Sequence, residues 1–240
     1  MSACTKPYIL PAGKRVLAVT GHYGSGKTEF AVSLALQLAA DTHLPFRRVA
    51  LADLDIVNPY FRSRERKALL ESSGVAVYGN AFEGEITAEI PGFSADVLGP
   101  LEDKDCLVIL DVGGNDSGAR VLHQIRRFVI APDAAILAVV NANRPESRDV
   151  PRALEQLASI ESELGMRVDG LVNNTHLLME TTADDVQRGH RLCRELCRIT
   201  GKELWCDCYP APLVAESELR EVGDYLMPLG MFMRASWLDK

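Results

Sequence analysis

The sequence predicts an α/β fold, a three-layer sandwich in which a mostly parallel sheet carries helices on both faces. Short apolar runs of strand length alternate with amphipathic segments of helical period, the order that βαβ units require. The runs are apolar throughout rather than alternating, as strands covered on both faces are. No linker, repeat or low-complexity tract divides the 240 residues, of which 47% are hydrophobic and 25% charged. One domain over 1–240 is therefore expected.

The elements follow in order. "RVLAVT" (15–20) is a buried strand running into glycine. "KTEFAVSLALQLAAD" (27–41) is a helix, with Phe30, Leu34 and Leu38 on one side. "RRVALADLD" (47–55) is the next strand. "NPYFRSRERKALLESSG" reads as a helix with Asn58 as N-cap, Pro59 at its first position and Gly74 as its stop. "VAVYG" (75–79) and "DCLVILDVGG" (105–114) are strands, and a helix is expected from about 117 to 128. "AAILAVVNA" (134–142) is a strand, followed by a helix through "ESRDVPRALEQLASIESELG". A strand at 167–175, a helix at 183–200 and a strand at 202–210 complete the series.

The loop "GHYGSGKT" sits between the first strand and the first helix, the context in which G-x-x-x-x-G-K-[ST] binds phosphate. Gly21, Gly24 and Gly26 let the backbone curl, so that the N–H groups of His22, Tyr23, Ser25 and their neighbours point inward. The helix N-terminus adds partial positive charge there. Lys27 reaches the β- and γ-phosphates, and the Thr28 hydroxyl ligates Mg²⁺. The bland alternative is a glycine-rich turn with no ligand.

Carboxylates at neighbouring strand ends are the second requirement. "LVILDVGG" offers Asp111, with Gly114 placed to sense a γ-phosphate. "LADLD" offers Asp53 and Asp55, which strand alternation puts on one face. Two carboxylates near one metal and a water suit a water-positioning or base role. The plainer reading is that these aspartates only cap turns.

Taken together, "GHYGSGKT", "DLD", "LDVGG" and "GLVNN", in that order, resemble the MinD/ParA/nitrogenase-iron-protein class of P-loop ATPases. The resemblance runs from about Arg15 to Pro212. It implies the P-loop NTPase fold, with ATP and Mg²⁺ as ligands and hydrolysis to ADP and phosphate. It implies that Asp55 orients the attacking water, Asp53 and Asp111 lie on the Mg²⁺ side, and Gly114 reports the γ-phosphate. Asn173, or failing it Asn174, would read adenine, with Pro210 in the "YPAPL" segment against the base. No N-K-x-D or T-K-x-D reader of guanine is present. The implied role is a nucleotide switch that controls a protein partner, with an ATP-dependent homodimer. The rival within the fold is a synthetase or amidase that uses ATP to activate a small acid. Its pocket would involve "GNAFEGEITAEIPGF" (79–93), which holds Glu83, Glu85 and Glu89 but no cation. A nucleotide-binding scaffold without turnover is a third reading.

One residue departs from the class. Its signature lysine at the second loop position, which crosses to the partner's phosphates, is here His22. A neutral imidazole supplies less charge, so either another cation compensates or hydrolysis is slow. Arg62 and Arg64 are candidates, against the reading that they are a solvated helix face.

The remaining signals are weak. The formal net charge of -7 argues against nucleic-acid binding. The absence of a long apolar run and of a signal peptide's apolar core points to the cytoplasm, with the six cysteines reduced. Cys206 and Cys208, and likewise Cys193 and Cys197, are read as core residues rather than metal ligands. The methionine-rich tail is expected to pack on the domain or a partner, and membrane contact is not expected.

Overall fold

The computed structural model describes residues 10, 13–54, 66–79, 95–113, 116–220, 222 and 225–233. Among these, eight strands form one parallel sheet in the order β3-β2-β4-β1-β5-β6-β7-β8. The strands are β1 (Val16–Gly21), β2 (Arg48–Asp53), β3 (Val75–Gly79), β4 (Cys106–Asp111), β5 (Ala134–Val140), β6 (Gly170–Asn173), β7 (Glu203–Pro210) and β8 (Leu226–Leu229). The helices are α1 (Lys27–Ala40), α2 (Lys67–Ser72), α3 (Leu98–Glu102), α4 (Asp116–Gln124), α5 (Arg126–Val129), α6 (Val150–Leu164) and α7 (Ala183–Thr200).

Strand alternation divides the core into two apolar layers. Val16 and Ala18 face one layer, with Leu122, Leu157, Ile160 and Leu196 from α4, α6 and α7. Leu17 and Val19 face the other, with Phe30, Ala31, Leu34 and Leu38 from α1 and Leu70 from α2. β1 is buried along its whole length, so every residue must be apolar or bonded, which explains the unbroken run in the sequence.

Helix ends fall where local chemistry sets them. The α7 N-cap is a reciprocal box: Asp185 N–H donates to Thr182 Oγ1, and Thr182 N–H donates to Asp185 Oδ2. Gly201 in the left-handed region ends that helix. Asp149 caps α6 by accepting from Arg152 N–H. The expected long helix before it is split: Pro145–Ser147 is a 3₁₀ turn, and α6 begins only at Val150. The helix expected at 117–128 is likewise broken at Ile125 into α4 and α5. Of the helix expected from Asn58 to Gly74, residues 66–74 are described, and Lys67–Ser72 is helical.

β8 is an addition to the predicted series. It pairs with β7 at the sheet edge, with Tyr209 opposite Pro228. Proline is tolerated there because an edge strand has one side without a partner strand. The segment beyond it is fastened to α1. Gln37 Nε2 donates to Pro228 O (2.7 Å), and Gly230 N–H donates to Ser33 Oγ. Phe232 and Met233 N–H donate to the two Glu29 carboxylate oxygens at 2.9 and 2.7 Å. The expectation that the tail packs on the domain holds for these residues.

Cys193, Cys206 and Cys208 are buried, and Cys197 is half-buried. Burial pushes the Cys193 and Cys208 thiols well above their ordinary range, away from the thiolate that a metal needs. Among the described residues no helix is long and apolar enough to cross a membrane.

Candidate functional site

The site lies at the carboxyl ends of the central strands. β1 ends in Gly21, where a Cβ would stand 2.5 Å from Val139 O on β5. The chain then turns through His22–Gly26 and enters α1. Gly26, in the left-handed region, is the N-cap, and no side chain caps the helix. The N-terminus of α1 therefore faces the loop without a side-chain cap among the described residues. Ser25 Oγ is buried and has no hydrogen-bond partner among the described residues. Lys27 is 7% exposed, and its ammonium donates to His22 O at 3.2 Å. A buried hydroxyl awaiting a partner, an uncapped helix start and a lysine folded onto the rim suit a phosphate group.

Asp53 and Asp111 stand side by side in the β2–β4 register and are 6% and 1% exposed. Thr28 follows Lys27 on α1. Hard oxygen donors beside a phosphate loop match Mg²⁺ chemistry. Asp55 and Gly114, and with them Arg62 and Arg64, lie outside the described residues.

Asn173, expected to read the base, bonds within the protein instead. Asn173 is fully buried. Its Nδ2 donates to Val186 O (3.0 Å) and Asp207 Oδ1 (2.7 Å). Its Oδ1 accepts from Thr175 N–H (3.2 Å) and Thr175 Oγ1 (2.8 Å). All four hydrogen-bonding positions of the amide are filled, so no edge remains for a base. Asp207 also meets His190 Nδ1 at 2.8 Å. Asn174, the alternative expected to read the base, donates from Nδ2 to Ser25 O at 2.8 Å and so ties the segment after β6 to the phosphate-binding turn. Pro210 is buried at the end of β7, where its carbonyl accepts from Leu213 and Val214 N–H. Ala211 and Pro212 form the exposed part of that corner.

His22 is turned toward the loop after β5. Its Nδ1 lies 2.9 Å from Tyr23 O and 3.7 Å from Glu146 Oε2.

Three residues of the site escaped the sequence reading. Asn141 organises the β5 loop: its Oδ1 accepts from Asn143 and His176 N–H, and its backbone carbonyl accepts from Arg144 N–H and Ser147 Oγ. Arg144, held by that turn, donates from Nε to Gly24 O at 2.8 Å. Its guanidinium occupies the space that a Cβ on Gly24 would need. His176 faces Gly26. The available signal was a polar, proline-containing loop at a strand's carboxyl end, "NANRPES", which carries a cation.

His176 Nδ1 accepts from Leu178 N–H, which puts the proton on Nε2; that atom is buried with no partner among the described residues. Burial, and secondarily the Arg144 charge, lower its pKa to about 4. Between that value and the unfolded one near 6.5, the unfolded chain binds more protons than the folded one, so stability rises with pH. Acidification through this window is expected to cost up to about 3 kcal/mol at this residue. Urea midpoints of the parent and His176→Gln across the window check this. Parallel pH slopes for the two would contradict it.

No protein-family model and no curated protein matches the chain. Solved structures do. It is similar to the cell division protein FtsY of Thermotoga maritima, with TM-score 0.52 and 21% identity over 85% of this chain and 64% of that one. The signal recognition particle receptor FtsY of Elizabethkingia anophelis gives TM-score 0.52 and 18% identity over 83% and 60%. The chloroplast FtsY of Physcomitrella patens gives TM-score 0.54 and 15% identity over 84% and 60%. The chain thus spans 60% to 64% of their own length. At these identities the likeness is one of fold, and that fold is the α/β P-loop NTPase fold. These structures belong to a different branch of it from the MinD/ParA class that the motifs resemble, and they do not confirm that class.

Proposed function

We propose that the protein is an ATP-binding, Mg²⁺-dependent ATPase that acts as a nucleotide switch on a protein partner. The carrying observation is the loop itself: the unpartnered Ser25 hydroxyl and Lys27 at the uncapped start of α1, beside the buried Asp53 and Asp111. In this reading the loop N–H groups and Lys27 hold the β- and γ-phosphates. Thr28, Asp53 and Asp111 hold Mg²⁺, which when bound neutralises charge on the phosphates. Asp55 orients water. The segments after β2 and β4 respond to the γ-phosphate and signal to the partner. Adenine is favoured over guanine because the loop Asn174–Leu178, next to the phosphate loop, carries no carboxylate to pair with guanine's donors. The MinD/ParA class remains the finer assignment that the motifs support.

The test is phosphate release from ATP and from GTP, with Mg²⁺ and with chelator, alone and with cell extract. ATP-selective, Mg²⁺-dependent release that extract stimulates supports the reading. Release from GTP alone, or none from either, overturns it. Asp55→Ala is expected to keep ATP affinity and lower kcat, since a water-orienting group acts mainly in the transition state. A loss of affinity at unchanged kcat would move Asp55 to a binding role.

A further inference from the structure

Arg144 is a half-buried cation fixed against the phosphate loop, and no carboxylate among the described residues pairs with it. Its position is over-determined from both sides. The backbone beneath it is held by the Asn141 turn, which His176 and Thr175 brace from the segment after β6 through bonds to Asn141 Oδ1 and Ala142 N–H. Its tip is held by Gly24 O, and Gly24, at φ +73, leaves the guanidinium its space. One of its five N–H donors is used there, and Nη1 and Nη2 make no bond among the described residues. A half-buried guanidinium with free N–H groups beside a phosphate loop is placed to meet an anion, and a phosphate is the partner that this neighbourhood offers. His22, meanwhile, stands where a lysine would supply charge, but its ring is turned to Tyr23 O and Glu146.

We propose that Arg144 supplies, within one subunit, the positive charge that the loop lacks at position 22, contacting the terminal phosphate of the bound nucleoside triphosphate through Nη1 and Nη2. This rests on the ATPase reading above. In the reaction, the oxygen of water bonds to the terminal phosphorus and the bond to the bridging oxygen of ADP breaks. Both protons of the water go with the inorganic phosphate, formed as dihydrogen phosphate, which then loses one to solvent. Arg144 exchanges no proton. It donates two N–H groups to oxygens that gain charge as the bond breaks, and a planar fork suits that better than a point charge. Turnover therefore needs no cation from a second copy of the chain.

The experiment is Arg144→Gln, read by kcat at saturating ATP, ADP affinity by calorimetry, and melting temperature. The expected result is a kcat loss of roughly 10³-fold, the low end for an arginine that meets the transferring phosphoryl group, with ADP affinity retained. Arg144→Lys should recover part of the rate. If ADP and ATP affinities fall together while saturated kcat is unchanged, Arg144 only braces Gly24 and the assignment is overturned. Full activity in the glutamine variant overturns it as well. Should that variant not fold, the parent decides: its rate per molecule is expected to be independent of protein concentration, and a rate that climbs with concentration places the missing charge on a second subunit. Lys27→Ala separates the two levels. Undiminished ATP binding there sinks the ATPase reading itself, whereas lost binding there, with full turnover in Arg144→Gln, sinks only the role of Arg144.

Discussion

Lys27→Ala loses ATP–Mg²⁺ binding while the protein keeps its fold. Lys27 is buried at the loop, and its ammonium donates to His22 O on the rim. It follows Gly26, the N-cap of a helix that no side chain caps, so a bound phosphate takes charge from lysine and helix start together. A charge-assisted contact to phosphate is worth about 1.5–3 kcal/mol, and more than one oxygen is in play, so affinity should fall on the order of 10²-fold or more. The loop keeps its other ties: Asn174 Nδ2 to Ser25 O, Arg144 Nε to Gly24 O and Ser25 N–H to His22 O. Melting temperature should therefore change little. Calorimetric titration with ATP–Mg²⁺ decides, and a variant that binds as tightly as the parent removes the phosphate-loop reading.

The second large effect is on stability. Asn173→Ala is expected to cost about 2–4 kcal/mol, because it strips a donor from the buried Asp207 carboxylate and leaves Val186 O and Thr175 short of partners. Among the described residues, the Asp207 carboxylate would then keep its contact with His190. A residue that read adenine would behave the other way, giving near-normal unfolding and a reduced preference for ATP over GTP. Urea unfolding together with nucleotide competition on the same variant separates the two. Unchanged stability with lost discrimination would return Asn173 to the base.

Much of this arrangement could be read from the chain before its fold was known. α7 coincides with the helix expected at 183–200, and Thr182, Asp185 and Gly201 fix its ends by local bonding. The phosphate loop was legible because strand, glycines and lysine lie within a dozen residues. What failed was non-local. Whether Asn173 faces a ligand or Asp207 depends on how β6 and β7 align, with Asn173 opposite Asp207, and nothing within "GLVNN" encodes its neighbour. Arg144 is 120 positions from the carbonyl it holds, and its importance exists only once β5 lies against β1. β8 was missed because Pro228 argues against a strand unless the strand is known to be at an edge.

The fastening of the tail to α1 has a consequence for the order in which the molecule is made. Glu29 and Ser33 leave the ribosome with α1, but the backbone groups that bond them are made 197 to 204 positions later. Contacts that distant close slowly, since the chain must give up the entropy of a long loop before they form. Until residues 230–233 are synthesised, both Glu29 oxygens lack these backbone donors, two positions from Lys27 in the proposed phosphate loop. A nascent chain thus carries its phosphate loop long before it carries the bonds that hold the first helix in place from behind.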